Sequence, residues 1–182
     1  MVGLRRIMII GGSGSGKSTL ARQIGAVSGL PVVNIDPMYW APGWVQRPLA
    51  ETRALSLAAA AQEAWVFEGN HGDTMDARAE RADLIVFLDI SRWVRLRGFL
   101  WRSLRFYGQT RPDMSQNCPE RFDFGFLRTF VWGYDRRSRP RAMDVLARWQ
   151  GKREIVHLCS RAAVHRFLCD PDMRRRLRGT GD

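Results

Sequence analysis

Short apolar runs alternate with stretches of helical period along most of the chain. "RIMII" (6–10) reads as a first strand, and "KSTLARQIGAVSG" (17–29) as a helix closed by Gly29 and Pro31. "PVVNID" (31–36) reads as a second strand, followed by an aromatic turn, "PMYWAPGW" (37–44), and an alanine-rich helix over 49–64. "WVFEG" (65–69) is a third strand, "DARAERA" (76–82) a helical turn, and "DLIVFLDI" (83–90) a fourth strand. "KREIVHLCS" (152–160) is a fifth strand and "RAAVHRFLCD" (161–170) a closing helix. Runs of apolar residues without polar alternation, with helices between them, predict a parallel sheet covered on both faces, an α/β fold.

Residues 92 to about 141 break this alternation. They are rich in arginine and aromatics and contain no strand pattern. The expectation is a long helix, a turn-rich middle around "GQTRPDMSQNCP", and a second helix running on into "AMDVLARWQ" (142–150). The segment is then an insertion between the fourth and fifth strands. The chain reads as one domain over 1–182, with an acceptor-side segment at about 36–64, a lid insertion at about 92–141, and a frayed basic tail at 171–182.

Composition changes this picture little. Hydrophobic residues are 45% and charged residues 26%, as in globular domains. No apolar run is long enough to cross a bilayer. The start "MVGLRRIMII" has basic residues ahead of an apolar run, but it passes straight into glycines and reads as a buried strand, not a leader. Cys118, Cys159 and Cys169 lack metal-ligand spacing, which fits reduced thiols and a cytoplasmic setting. The net charge of +11 is what stands out, and it implies a polyanionic partner, a nucleic acid or a small phosphorylated ligand.

Candidate chemistry begins at "GGSGSGKST", residues 11–19. Gly11, Gly16, Lys17 and Ser18 satisfy G-x-x-x-x-G-K-[ST] between a strand and a helix, the context this phosphate loop requires. The backbone of Gly11, Gly12, Ser13, Gly14, Ser15, Gly16, Lys17, Ser18 and Thr19 is expected to cradle the phosphates of ATP. Lys17 would reach the β- and γ-phosphates, and the Ser18 hydroxyl would bind Mg²⁺. A second acid should support the hydrated metal. Glu68 and Asp89 both end apolar strands. In P-loop kinases the strand beside the loop strand supplies the acid, and in the order 2-3-1-4-5 that is the third strand, which favours Glu68. Asp89 then reads as a cap for the next helix.

Asp36 ends the second strand and would face the acceptor, where a carboxylate orients a hydroxyl or takes its proton; the alternative is that it opens the "DPMY" turn. Tyr39, Trp40 and Trp44 line an acceptor slot or cover the small helix. Transferring phosphate needs cations beside it. Arg95, Arg102 and Arg105 can share one helix face, Arg111 sits in the turn, and Arg136, Arg137, Arg139 and Arg141 form a second cluster. Lys17, Asp36, Arg102, Arg137 and Arg139 are the catalytic candidates. His71 follows "EGN" near the site; His157 and His165 carry no pattern.

"IIGGSGSGKSTLAR", "PVVNIDPMYW", "WVFEGNHG", "ADLIVFLD" and "TRPDMSQNCPERFDFGFLRTFVW", in this order, resemble the adenylate-kinase-like P-loop ATPases of bacteria often labelled DNA topology modulation proteins. The resemblance runs from about residue 6 to 169, and "CPERFDF" and "RSRPR" are its most specific parts. It implies a nucleoside-monophosphate-kinase-like three-layer fold, a five-stranded sheet of order 2-3-1-4-5, an arginine-bearing lid, and binding of ATP and Mg²⁺. The "FEGNHG" stretch lacks the arginine with which adenylate kinases grip their acceptor nucleotide. The expected function is transfer of the γ-phosphate of ATP to a small acceptor, a nucleoside or nucleotide. The alternative is a nucleic-acid-associated ATPase whose contact surface is the basic insertion, with Trp93, Trp101, Phe106, Tyr107 and Trp132 stacking on bases.

Overall fold

The computed structural model describes residues 3–179. Five parallel strands form the central sheet: β1 (Arg6–Gly11), β2 (Val32–Asn34), β5 (Trp65–Glu68), β6 (Leu84–Leu88) and β7 (Glu154–Leu158), in the order β2-β5-β1-β6-β7. In chain order of these five strands this is 2-3-1-4-5, the expected arrangement. β3 (Trp40–Ala41) and β4 (Val45–Gln46) form a separate antiparallel hairpin.

The central strands are apolar throughout because helices cover both faces. Ile7 and Ile9 of β1 point to one side, where they pack with Val66, Val86, Leu20, Ile24, Phe167 and Leu177. Val66 and Val86 belong to β5 and β6, and the other four to α1 (Lys17–Ser28), α9 (Arg161–Cys169) and α10 (Pro171–Arg178). Met8 and Ile10 point the other way, into a second cluster with Phe67, Ile85, Met75, Val145 and Leu146. Here the cover is α3 (Leu49–Ala60), α4 (Gly72–Arg81) and α8 (Arg139–Trp149). A three-layer α/β sandwich results, and the loops at the carboxyl ends of the strands share one rim.

The structure differs from the sequence expectations in three places. The aromatic turn is a short helix, α2 (Asp36–Tyr39), followed by the β3–β4 hairpin, with Trp44 turning the chain at a φ of 61°. The insertion starts with α5 (Arg92–Arg105) as expected, but its second helix is broken. After α6 (Phe124–Phe126) and a π-helical stretch, Leu127–Trp132, come α7 (Tyr134–Arg137) and then α8. Ser138 separates the two as a turn residue at φ −103° and ψ −31°, and Pro140 sits in the first turn of the next helix, where its missing N–H costs nothing.

The third difference is the tail. Pro171–Arg178 does not fray; it is the helix α10, and the expectation for residues 180–182 falls outside the described residues. Asp170 caps it by accepting from Met173 N at 2.8 Å, and Pro171 sits in its first turn. Met173 and Leu177, four residues apart, are buried among α1 and α9 side chains. Arg176 pairs with Glu154 at the end of β7. The arginines mask this two-residue apolar stripe in the sequence. Leu177→Ala is expected to lower the unfolding free energy by about 2–3 kcal/mol, read as a shifted urea midpoint at unchanged slope. A frayed tail would leave the midpoint where it is.

Candidate active site

The phosphate loop leaves β1 at Gly11 and enters α1 at Lys17. Gly14 and Gly16 take positive φ, 77° and 95°. A Cβ on Gly14 would stand 2.1 Å from the Arg95 carbonyl oxygen, so no side chain fits there. Inside the loop, Ser15 N donates to Gly12 O at 3.1 Å and Lys17 Nζ donates to the same carbonyl at 3.1 Å. The buried Ser15 hydroxyl has no protein partner. The Gly12 carbonyl thus ties the middle of the loop to the first residue of α1.

Two contacts hold it to the sheet. Asn70, just after β5, accepts from Gly11 N at 3.0 Å and donates to Gly11 O at 2.7 Å. Arg95 of α5, fully buried, lies against Gly12, donates to Ile90 O at 2.9 Å, pairs with Asp135 at 2.9 Å and faces the Tyr134 ring. Sequence reasoning placed Arg95 among the lid charges; it is instead a fixed part of the loop's wall. Arg78, also fully buried, donates to Gly69 O at 2.9 Å and His71 O at 3.2 Å, and so shapes the turn that carries Asn70. Neither Asn70 nor Arg78 figured in the sequence reading. "EGN" directly after an apolar strand was the only sequence trace of either.

The parallel register puts Glu68 opposite Ile9, two residues before the loop. Glu68 is buried and its Oε1 accepts from Ser18 Oγ at 3.1 Å. Burial pushes the Glu68 carboxyl up to about 7, opposed by the nearby Lys17 ammonium. The same burial lowers the Lys17 ammonium, opposed chiefly by Glu68. Ser18 and Glu68, the expected metal pair, thus meet, and their two oxygens are the hard donors that Mg²⁺ takes.

Asp89 behaves otherwise. It does not cap α5, whose cap position is Ser91. Its carboxylate accepts two bonds from Arg139, at 2.8 and 2.6 Å, and lies 3.1 Å from His157 Nε2. The Arg139 bonds hold it below the usual carboxylate range. Arg139 is therefore occupied by an in-chain partner. Arg137 is exposed, and its side chain makes no hydrogen bond or ion pair among the described residues, as is true of Arg136 and Arg141.

On the acceptor side, Asp36 opens α2 without capping it. Its side chain is 48% exposed and stands 3.9 Å from an Arg111 nitrogen. Arg111 is buried; it pairs with Glu120 at 2.8 Å and Asp113 at 3.3 Å. Arg102 reaches the same Glu120 carboxylate at 3.2 Å. The charges of Asp36, Arg102 and Arg111 all act on Lys17. Arg105 points out to solvent, over Phe106, and does not share the inner face of α5. Arg111 was noted in the sequence but not chosen; its run "RPD" gave no period to place it.

Tyr39, Trp40 and Trp44 stack edge to face in a row, at 5.0 and 5.4 Å between centroids. They are clamped to the turn of the insertion: Trp44 Nε1 donates to Pro119 O at 3.0 Å, and Ser115 Oγ donates to Trp40 O. The aromatic row and the turn of the insertion are one wall. His71 sits 3.4 Å from Thr74 Oγ1, on the far side of the Arg78 turn.

No family model matches the chain, and no curated protein does. Solved structures do. Shikimate kinase from Acinetobacter baumannii, in complex with shikimate, superposes with a TM-score of 0.58 at 13% identity, over 91% of this chain and 89% of that one. Shikimate kinase from Bacteroides thetaiotaomicron gives a TM-score of 0.50 at 18% identity, over 91% of this chain and 95% of that one. The chain has the fold of these P-loop kinases.

Glu68 generates a test of the buried pair. Between about pH 4.5 and 7 folded Glu68 keeps a proton that the unfolded chain has released, so its contribution weakens the folded state as the pH rises across that window. Glu68→Gln is expected to unfold at higher urea than the parent at pH 8 without nucleotide or metal, and at nearly the same urea at pH 4.5. Equal midpoints at both pH values would show that Glu68 is not held protonated by burial.

Proposed function

We propose that this protein is an ATP-dependent phosphotransferase that passes the γ-phosphate of ATP to a small acceptor, with the whole chain as one kinase-like domain. The observation that carries the reading is the meeting of Lys17, Glu68, Asp36, Arg102 and Arg111 at one end of the sheet, directly after a phosphate loop. A loop that only bound nucleotide would need no exposed carboxylate beside its lysine.

In this reading the loop amides and Lys17 hold the β- and γ-phosphates. Ser18 and Glu68 would hold Mg²⁺, which, when bound, neutralises charge on those oxygens. Asp36, unspent on capping and open to solvent, orients an acceptor hydroxyl and receives its proton. Arg102 and Arg111 stand where negative charge develops, each already oriented by Glu120. Arg139 and Arg137 would join only if the insertion closes further, since Arg139 is bound to Asp89 and Arg137 lies on the surface. The wall formed by the aromatic row and the insertion's turn keeps water from the phosphate.

The acceptor class is a nucleoside or nucleotide, as the resemblance to the adenylate-kinase-like bacterial ATPases suggests, and the fold neighbours add hydroxy acids such as shikimate. The nucleic-acid ATPase reading gains nothing at the loop. The arginines nearest Lys17 are matched by Glu120 and Asp113 within the chain, so they do not form a free basic track.

The test is ADP release from ATP and Mg²⁺ across nucleosides, nucleoside monophosphates, hydroxy acids, small sugars and polyols, with plasmid DNA as a further condition. One acceptor is expected to raise the rate at least about tenfold over ATP alone. Lys17→Ala should lower that acceptor-dependent rate by at least about a hundredfold with unchanged circular dichroism. Asp36→Asn should cost about a hundredfold when the acceptor is a hydroxyl. Stimulation by DNA and by no small acceptor would overturn the reading.

A further inference from the structure

Helix α5 is amphipathic in the wrong direction for a helix on a protein surface. Its inner face carries the buried Arg95, Phe99 and Ser103, with Arg102 beside them. Its outer face carries Trp93, Leu100, Trp101 and Leu104, at the i, i+7, i+8, i+11 spacing of one helical stripe. Trp93 is 69%, Trp101 66% and Leu104 75% exposed. Trp132 packs its ring edgewise on Trp93, 5.4 Å between centroids, and widens the patch beyond the helix. Contiguous bulky apolar groups on a surface mark a binding face.

The charges on that face are all of one sign. From Arg92 to Gln109 the sequence contains no aspartate or glutamate. Arg97, set among the apolar residues of the stripe, and Arg105, at its edge, are both exposed. The face therefore fits an anionic partner. It does not fit a second copy of the chain, because a two-fold contact would bring together two copies of a helix face that has arginines and no acid.

Aromatic and cationic groups together suit either bases or lipid headgroups. Here the aliphatic residues decide. Leu104 is the most exposed member of the stripe, with Leu100 and Val94 beside it, and none of them has a ring to stack on a base. The ring of Trp132 is already covered by the Arg92 guanidinium, at 4.8 Å from its centroid, and by Trp93. A convex helix also offers no groove for a strand to follow. Leucine between tryptophans, with arginines among and beside them, is instead the composition of a helix lying in a lipid interface. The aliphatic groups enter the acyl boundary, the tryptophans sit at headgroup level, and the arginines reach phosphates.

We propose that the outer face of α5 docks this protein on the surface of an anionic lipid bilayer. The contact is peripheral: no described helix is long and apolar enough to cross a membrane. It departs from the expectation of no membrane partner that the apolar-run lengths alone support. It is independent of what the phosphate loop phosphorylates.

The test is co-sedimentation of the full chain with vesicles of phosphatidylcholine, and of phosphatidylcholine with an equal part of phosphatidylglycerol. The protein is expected to bind the mixed vesicles and to leave them as salt rises. Trp101→Glu with Leu104→Glu should weaken that binding by about tenfold or more. Arg97→Gln and Arg105→Gln should each weaken it by about fivefold. Circular dichroism and solution ADP release should stay as in the parent, since none of these residues belongs to the site. A labelled single-stranded oligonucleotide and light-scattering mass are measured in the same buffer. Absence of vesicle binding at low salt overturns the proposal, as does vesicle binding that the outer-face changes leave intact. Binding of the oligonucleotide, lost with those changes while vesicles are ignored, assigns the face to nucleic acid and overturns it too. A dimer abolished by Leu104→Glu would do the same in favour of self-association.

Discussion

Lys17 and Glu68 are buried together, where burial works against the charge of both and each group's charge opposes the shift of the other. Burial lowers the Lys17 ammonium and raises the Glu68 carboxyl. The arrangement persists because the parallel register of β1 and β5 sets Glu68 opposite Ile9 and the loop returns Lys17 over it. The Ser18 bond fixes which carboxylate oxygen faces the helix. Everything else near the loop serves this pair. Asn70 pins Gly11 from one side, Arg95 closes the wall behind Gly12 and Gly14, and Arg78 holds the turn between them. A buried pair of this kind adds little stability. Its presence at a strand end is thus better accounted for by chemistry than by folding.

The insertion carries its charge in two ways. Facing the loop, Arg102 and Arg111 share Glu120, and Arg111 also has Asp113. A desolvated guanidinium without such a partner would be costly. The shared carboxylates hold the two arginines in place before any phosphate arrives, which is the preorganisation that charge stabilisation requires. Facing away from the loop, Arg97 and Arg105 have no acidic neighbour in their helix. The net charge of +11 is therefore not a single property of the surface.

The sheet was legible because its signal is local. Apolar runs of strand length separated by helical periods fix the order of elements, and the loop motif fixes which strand leads into the phosphate site. The place of Glu68 beside the loop followed from its position at a strand end together with the strand order. The remainder depended on long-range pairing that no window of sequence contains. Asp89 looks like a helix cap until Arg139, fifty residues on, is seen to hold it. Arg95 and Arg102 look equivalent on a helical wheel, yet one is walled in beside Gly12 and the other opens toward Lys17. The tail looked disordered because arginine dominates it, while two apolar positions four apart sufficed to dock it. Asn70 was invisible because a single polar residue after a strand has no period.

Helix α5 joins these themes. A helix in a water-soluble domain turns its apolar side inward unless something else needs the inside. Here the inner side is required for guanidinium groups, Arg95 against the loop and Arg102 toward the lysine, with Phe99 stacked on Phe126 to seal them. That requirement explains a polar inner face. It does not explain an apolar outer one, since glutamate or lysine at positions 93, 100, 101 and 104 would serve the inner face equally well and hold the helix no less firmly. The outer composition carries a solvation cost that nothing inside the fold offsets. A contact beyond the chain is what would offset it, and the arginines of that face set the sign of that contact.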